Sequence, residues 1–159
     1  NSGPDPIRIG DKVVLTTTPT EQVETWAAAL IFNRGDFVIP AGGAATTSFS
    51  CTTGADWNVL YLLGHMHEWG TSFKVEQVEG DVFTEFYSVP EWDPVFRDSP
   101  SVLSSVEEPL AIAAGTTFQT TCSWFNDTEA DLVFPHEMCV TVAFVYPQKA
   151  TVICDGDGQ

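Results

Sequence analysis

The chain has 159 residues, 43% of them hydrophobic, and carries 22 acidic against 6 basic side chains for a net charge of −16. That length suits one core and one domain, and so negative a chain, without a basic stripe, excludes a phosphate backbone or an anionic lipid surface as its partner. No apolar run approaches the roughly eighteen residues that a membrane-crossing helix needs, so neither nucleic-acid binding nor membrane insertion is expected.

The opening Asn1-Ser2-Gly3-Pro4-Asp5-Pro6 is polar and turn-prone, and residues 1–10 are expected to be flexible. Residues 12–18 begin a series of short β-rich runs that continues at 44–51, 57–67, 72–78, 82–89, 116–125, 139–146 and 151–154. Gly and Pro punctuate them at Pro40-Ala41-Gly42-Gly43, Gly54, Gly80-Asp81, Pro109 and Gly115, where turns between antiparallel strands belong. The expectation is a single all-β domain over 1–159, an antiparallel sandwich or jelly roll. One segment reads two ways. Thr20-Glu21-Gln22-Val23-Glu24 offers a helix start with three alanines behind it, whereas residues 26–32 read as a buried strand, the reading preferred here. The aromatics Phe83, Phe86, Tyr87, Trp92 and Phe96 either line a pocket or fill the core. Asp155-Gly156-Asp157-Gly158-Gln159 reads as a disordered tail.

Cys51, Cys122, Cys139 and Cys154 form an even set without any CxxC pair, which favours disulfides over a zinc cluster. Three pairings are formally possible. Joining Cys122 to Cys139 closes a short loop and Cys51 to Cys154 a long one, each worth roughly 3–5 kcal/mol by chain entropy. Disulfides place the protein outside the cytosol, as a secreted, periplasmic or cell-surface chain. Asn126-Asp127-Thr128 fits the N-glycosylation acceptor pattern.

Only three histidines occur, and two form His65-Met66-His67 at the end of the apolar run Val59-Leu60-Tyr61-Leu62-Leu63-Gly64. In a strand, residues i and i+2 share a face, so both imidazoles can address one metal ion while Met66 points the other way. Met138, in Phe134-Pro135-His136-Glu137-Met138-Cys139, is one of two methionines and the third candidate ligand. Two imidazoles and a thioether make a soft set that suits copper, Cu(I) especially, better than zinc, magnesium or calcium. His136 would share the face of Met138 in an extended stretch, as a further ligand, a neighbour of the ligands or a solvated loop residue. No GxSxG, HExxH or phosphate-binding glycine loop appears.

These motifs, taken in order, resemble the copper type II ascorbate-dependent monooxygenases, the family of peptidylglycine α-hydroxylating monooxygenase and dopamine β-monooxygenase. The resemblance is to their C-terminal catalytic domain and covers residues 37–154. It rests on an Ile-Pro-Ala-Gly turn, a cysteine about fourteen residues before His-x-His, then Thr121-Cys122-Ser123-Trp124-Phe125-Asn126, Glu137-Met138-Cys139 and a closing cysteine. It implies a jelly roll with disulfides Cys51–Cys154 and Cys122–Cys139, and His65, His67 and Met138 as the catalytic copper ligands. It also implies molecular oxygen and a small molecule as substrates, with ascorbate as reductant. Three departures stand out. Full members carry a second copper on three further histidines, which this chain lacks, so the electron has to come from an upstream domain or partner. The Arg and Tyr that hold a peptide carboxylate are here Leu63 and Val142, so a peptide C-terminus is not the expected substrate. His136 stands where an acidic residue is common. Two functions follow: an oxygenase domain that hydroxylates a substrate C–H bond, or a copper-binding module for storage or delivery without turnover. A structural or adhesive β-domain with a decayed site ranks behind both.

Overall fold

A computed structural model describes residue 10 and residues 12–156 of the chain. It is all-β. In order the strands are β1 (Ala28–Arg34), β2 (Val38–Ile39), β3 (Ala44–Thr52), β4 (Trp57–His65), β5 (Gly70–Glu79), β6 (Val82–Val89), β7 (Val102–Ser104), β8 (Leu110–Ile112), β9 (Thr117–Phe125), β10 (Leu132–Val133), β11 (Cys139–Tyr146) and β12 (Val152–Cys154), with short 3-10 turns at Thr20–Gln22 and Pro94–Arg97. One sheet runs β12-β1-β11-β4-β7, with β8 also on β4; the other runs β3-β9-β5-β6, and β2 pairs with β10.

Side-chain alternation builds the core. Along β9 every second residue from Phe118 to Trp124 is buried, and along β11 Cys139, Thr141, Ala143 and Val145 point inward. Leu30, Phe32, Val59 and Leu62 from the first sheet belong to the same buried cluster as Phe49, Phe73, Val75 and Phe118 from the second. Both disulfides join the sheets across this core. Cys51 on β3 bonds Cys154 on β12, and Cys122 on β9 bonds Cys139 on β11, with Cα atoms 6.2 and 5.8 Å apart. The buried hydroxyls of Thr120 and Thr141 meet at 2.7 Å between the same two strands.

Several expectations change. Residues 12–18 form no strand: Val13, Val14 and Leu15 are 79%, 75% and 81% exposed, and no strand among the described residues pairs with them. The helix reading of residues 20–30 shrinks to the turn at Thr20–Gln22, because Leu30 and Phe32 alternate with Ala29 and Ile31 as β1 pairs with β11. The first sheet is not wholly antiparallel. After β11 the chain reverses past β1, so β12 runs against β11 and therefore parallel to β1, which lies between them. The expected tail is partly held: Asp155 accepts a 2.6 Å hydrogen bond from Asn33 and Gly156 lies against Phe49, while 157–159, with 1–9 and 11, fall outside the described residues. Tyr87 and Trp92 are core, whereas Phe83 is exposed. No helix among the described residues is long and apolar enough to cross a membrane.

Asn126 has a structural role. Its amide is fully buried and donates to the carbonyls of Ile39 and Pro40 at 3.2 Å and of Ala130 at 2.8 Å, while its oxygen accepts from Thr128. An amide so engaged in the folded chain is closed to a glycan. Asn126→Ala strips these acceptors of a buried donor and is expected to cost about 2–3 kcal/mol in urea unfolding; an unchanged midpoint would show that water replaces the amide.

Candidate metal centre

The His65-Met66-His67 segment is held from below by packing. β4 ends at His65, and the preceding Gly64 sits so close to the Phe73 ring that a Cβ there would lie 2.4 Å from it. Met66 is fully buried, as the alternation requires, so His65 and His67 face the other way and are partly exposed. At Gly70 a Cβ would meet both Met66 and Trp92 at 2.7 Å. Trp92 also donates its indole N–H to the His67 carbonyl at 2.9 Å. A side chain in place of either glycine would push the segment off this aromatic floor.

From the side the segment is held by Glu137. This residue is fully buried, and its carboxylate accepts four N–H donors: the His67 amide at 2.9 Å, the Trp69 amide at 2.8 Å, the Trp124 indole at 3.0 Å and its neighbour Met138's amide at 3.2 Å. These bonds explain why β4 stops two residues earlier than its apolar pattern suggests. The amides of His67 and Trp69 leave the sheet ladder for the carboxylate. One side chain thereby joins the histidine segment to the start of β11.

The two imidazoles stand nearly perpendicular, with ring centroids 5.1 Å apart. Rings that share an ion through nitrogens at about 2 Å have centroids no more than about 6 Å apart, so this pair satisfies the limit. The His67 Nδ1 lies 2.9 Å from the His136 carbonyl oxygen. A carbonyl only accepts, so Nδ1 carries the proton and Nε2 keeps its lone pair for a metal. His136 thus contributes its main chain to the site. Val140 pairs with His65 across β11 and β4. Half-buried Met138 lies two residues before Val140, and its amide and that of His67 donate to the same Glu137 carboxylate oxygen. Among the described residues no group of three or more His, Cys, Asp or Glu side chains is placed to hold a metal. A metal site here would have to combine the two imidazoles with a donor of another kind, and Met138 is joined to the histidine segment through the Glu137 carboxylate that takes both main-chain amides.

No protein-family model matches the chain, and no curated protein matches it. Burial pushes the His65 imidazole below its ordinary range, and the neighbouring His67 adds to the effect. Asp98, held low by its hydrogen bonds with Arg97, lies within electrostatic reach of both rings, and Arg97 also pairs with Glu68. Neutral imidazole is the form that binds metal, so burial favours the ligand state.

The sequence reading found the ligand candidates but gave Glu137 no role beyond its place in a motif. The available signal was a single acid lodged between the apolar β10 and Cys139. Two outcomes are expected. Glu137→Leu leaves four donors facing an apolar side chain and should cost about 3 kcal/mol or more in urea unfolding, while retention of wild-type stability would remove the clamp from the account. In the metal-free protein His65 should titrate below the ordinary imidazole range by NMR. Because the unfolded chain then takes up this proton first, the His65 contribution to stability is complete above the ordinary imidazole range and is lost as pH falls through and below that range. A His65 that titrates above the ordinary range would reverse that sign.

Proposed function

We propose that this chain is a mononuclear copper domain in which His65, His67 and Met138 hold one copper ion, and that it acts as the oxygen-activating domain of an ascorbate-dependent monooxygenase like the family it resembles. The observation that carries the reading is the His67 ring, whose Nδ1 is anchored on the His136 carbonyl so that Nε2 stays open beside His65. The donor set fits: two imidazoles and a thioether are soft ligands of the kind that accept copper in both oxidation states. Bound copper supplies one-electron chemistry and oxygen activation. In the overall reaction one oxygen atom enters a C–H bond, the other leaves as water, and ascorbate provides the electrons.

The chain's own part is positional. Glu137 and Trp92 fix the His67 main chain, and the Cys122–Cys139 bridge fixes the residue next to Met138. Leu63 and Val142, paired across β4 and β11 on the ligand face, offer no charge or hydrogen bond to a carboxylate. A peptide C-terminal carboxylate is accordingly not the substrate. The second electron source lies in another domain or partner, since His136 is the one histidine left over. The two disulfides suit an oxidising compartment outside the cytosol.

That single histidine set also favours a second reading, a copper storage or delivery module without turnover. Anaerobic titration with Cu(I) against a competing chelator should show one site per chain, weakened about ten-fold or more in His67→Ala and Met138→Ala. Binding indifferent to both changes would sink both copper readings. Where the site is present, hydroxylated product that requires ascorbate and oxygen and vanishes in His67→Ala selects the oxygenase; copper handed to a partner without product selects the module.

A further inference from the structure

The two sheets turn opposite kinds of surface to the outside. On the outer face of β3-β9-β5-β6, hydroxyls pair across the strands: Thr46 with Ser123 at 3.0 Å, Ser48 with Thr121 at 2.8 Å and Thr52 with Thr117 at 2.9 Å. Such a face is satisfied by itself and by water. The outer face of the other sheet is apolar along its centre, with Asn33, Asn58 and Ser104 towards its margins. Following the register across it, Ile153 on β12 stands beside Ile31 on β1, Ile31 beside Val142 on β11, Val142 beside Leu63 on β4, and Leu63 beside Val102 on β7. This row crosses five strands, about 19 Å at ordinary strand spacing, without one polar side chain. In the next row Phe144 pairs with Tyr61. Ile153, Phe144 and Val102 are 58%, 45% and 45% exposed.

An antiparallel sheet with one solvated face places polar residues there, and a contiguous apolar patch marks a surface that another molecule covers. The surroundings indicate which. Carboxylates border the face on three sides: Asp98 and Glu68 beyond His65, Glu107 and Glu108 next to Tyr61, and Asp155 beside Asn33. The net charge of −16 opposes a second copy and an anionic membrane and favours a basic partner. A row that crosses five strands suits a folded surface better than a small ligand, which takes a concave site.

We propose that the outer face of β12, β1, β11, β4 and β7 is the docking surface for a partner protein whose contact patch is apolar at its centre and bordered by Lys and Arg. The partner sits on the Ile153–Ile31–Val142–Leu63–Val102 row, with the His65 and His67 pair at its margin. This surface stands on strand register and charge, and does not depend on metal binding.

The test uses the metal-free, 15N-labelled full chain and two probe peptides, an amphipathic leucine–lysine helix and its leucine–glutamate counterpart. With the leucine–lysine probe the amides of Ile31, Leu63, Val142 and Ile153 should shift together, and the leucine–glutamate probe should leave them unmoved. Phe144→Glu, at a side chain already half in solvent, and Val142→Glu should each weaken the lysine probe at least ten-fold, whereas Ser48→Glu on the hydroxyl face should not. Shifts scattered over the acidic surface and indifferent to Phe144→Glu would reduce the effect to charge alone and overturn the proposal, as would no shift at all. A dimer in sedimentation equilibrium that Phe144→Glu dissolves would assign the face to a second copy instead. Binding to neutral phosphatidylcholine vesicles that the same variant abolishes would assign it to lipid.

Discussion

The candidate site depends on one buried carboxylate. Glu137 draws the amides of His67 and Trp69 out of the sheet ladder and takes the Trp124 indole as well, so three otherwise separate stretches of chain converge on one side chain. A buried acceptor with several donors confines each of them, because any displacement leaves an N–H unpaired at a cost of about 1–3 kcal/mol. The histidine segment therefore behaves as part of the core, although its imidazoles lie at the surface. The adjacent position of Met138 follows from the same residue.

Packing and covalent bonds reinforce that constraint from other directions. Phe73 and Trp92 lie so close to Gly64 and Gly70 that no side chain fits at either glycine, and Phe73 continues into Tyr87, which ties to the Ser101 carbonyl at 2.6 Å. Behind Met138, the Cys122–Cys139 bridge fastens the start of β11 to the opposite sheet. The second bridge fastens the edge strand β12 to β3, which keeps Ile153 in line with the apolar row. A rigid floor under two ligand candidates is what a binding site needs if its geometry is not to relax when a ligand arrives.

The sequence went further for the strands than for their neighbours. β6 and β11 fall at their expected bounds, and β3, β5 and β9 lie within two residues of theirs, because alternation of apolar and polar side chains is a local property with a period of two. The same pattern at residues 12–18 misled, since an apolar triplet needs a partner strand before it becomes a strand. β2, β7, β8 and β10 were missed because two or three residues hold too little alternation to register. For the site, the opposed directions of Met66 and of His65 and His67 were legible from spacing alone.

What the sequence determined by itself is thus the all-β class, the scarcity of histidine, the facing of the two imidazoles and an even set of cysteines without metal spacing. The tertiary structure decided that Glu137 is a clamp, that the Met138 and His67 amides meet on its carboxylate, that Asn126 is a strut within its loop, and that five apolar residues align across one sheet. Each of these depends on which strands become neighbours and in what register. That choice is made by burial and hydrogen bonding between segments far apart in the chain, and a local pattern of side chains does not encode it.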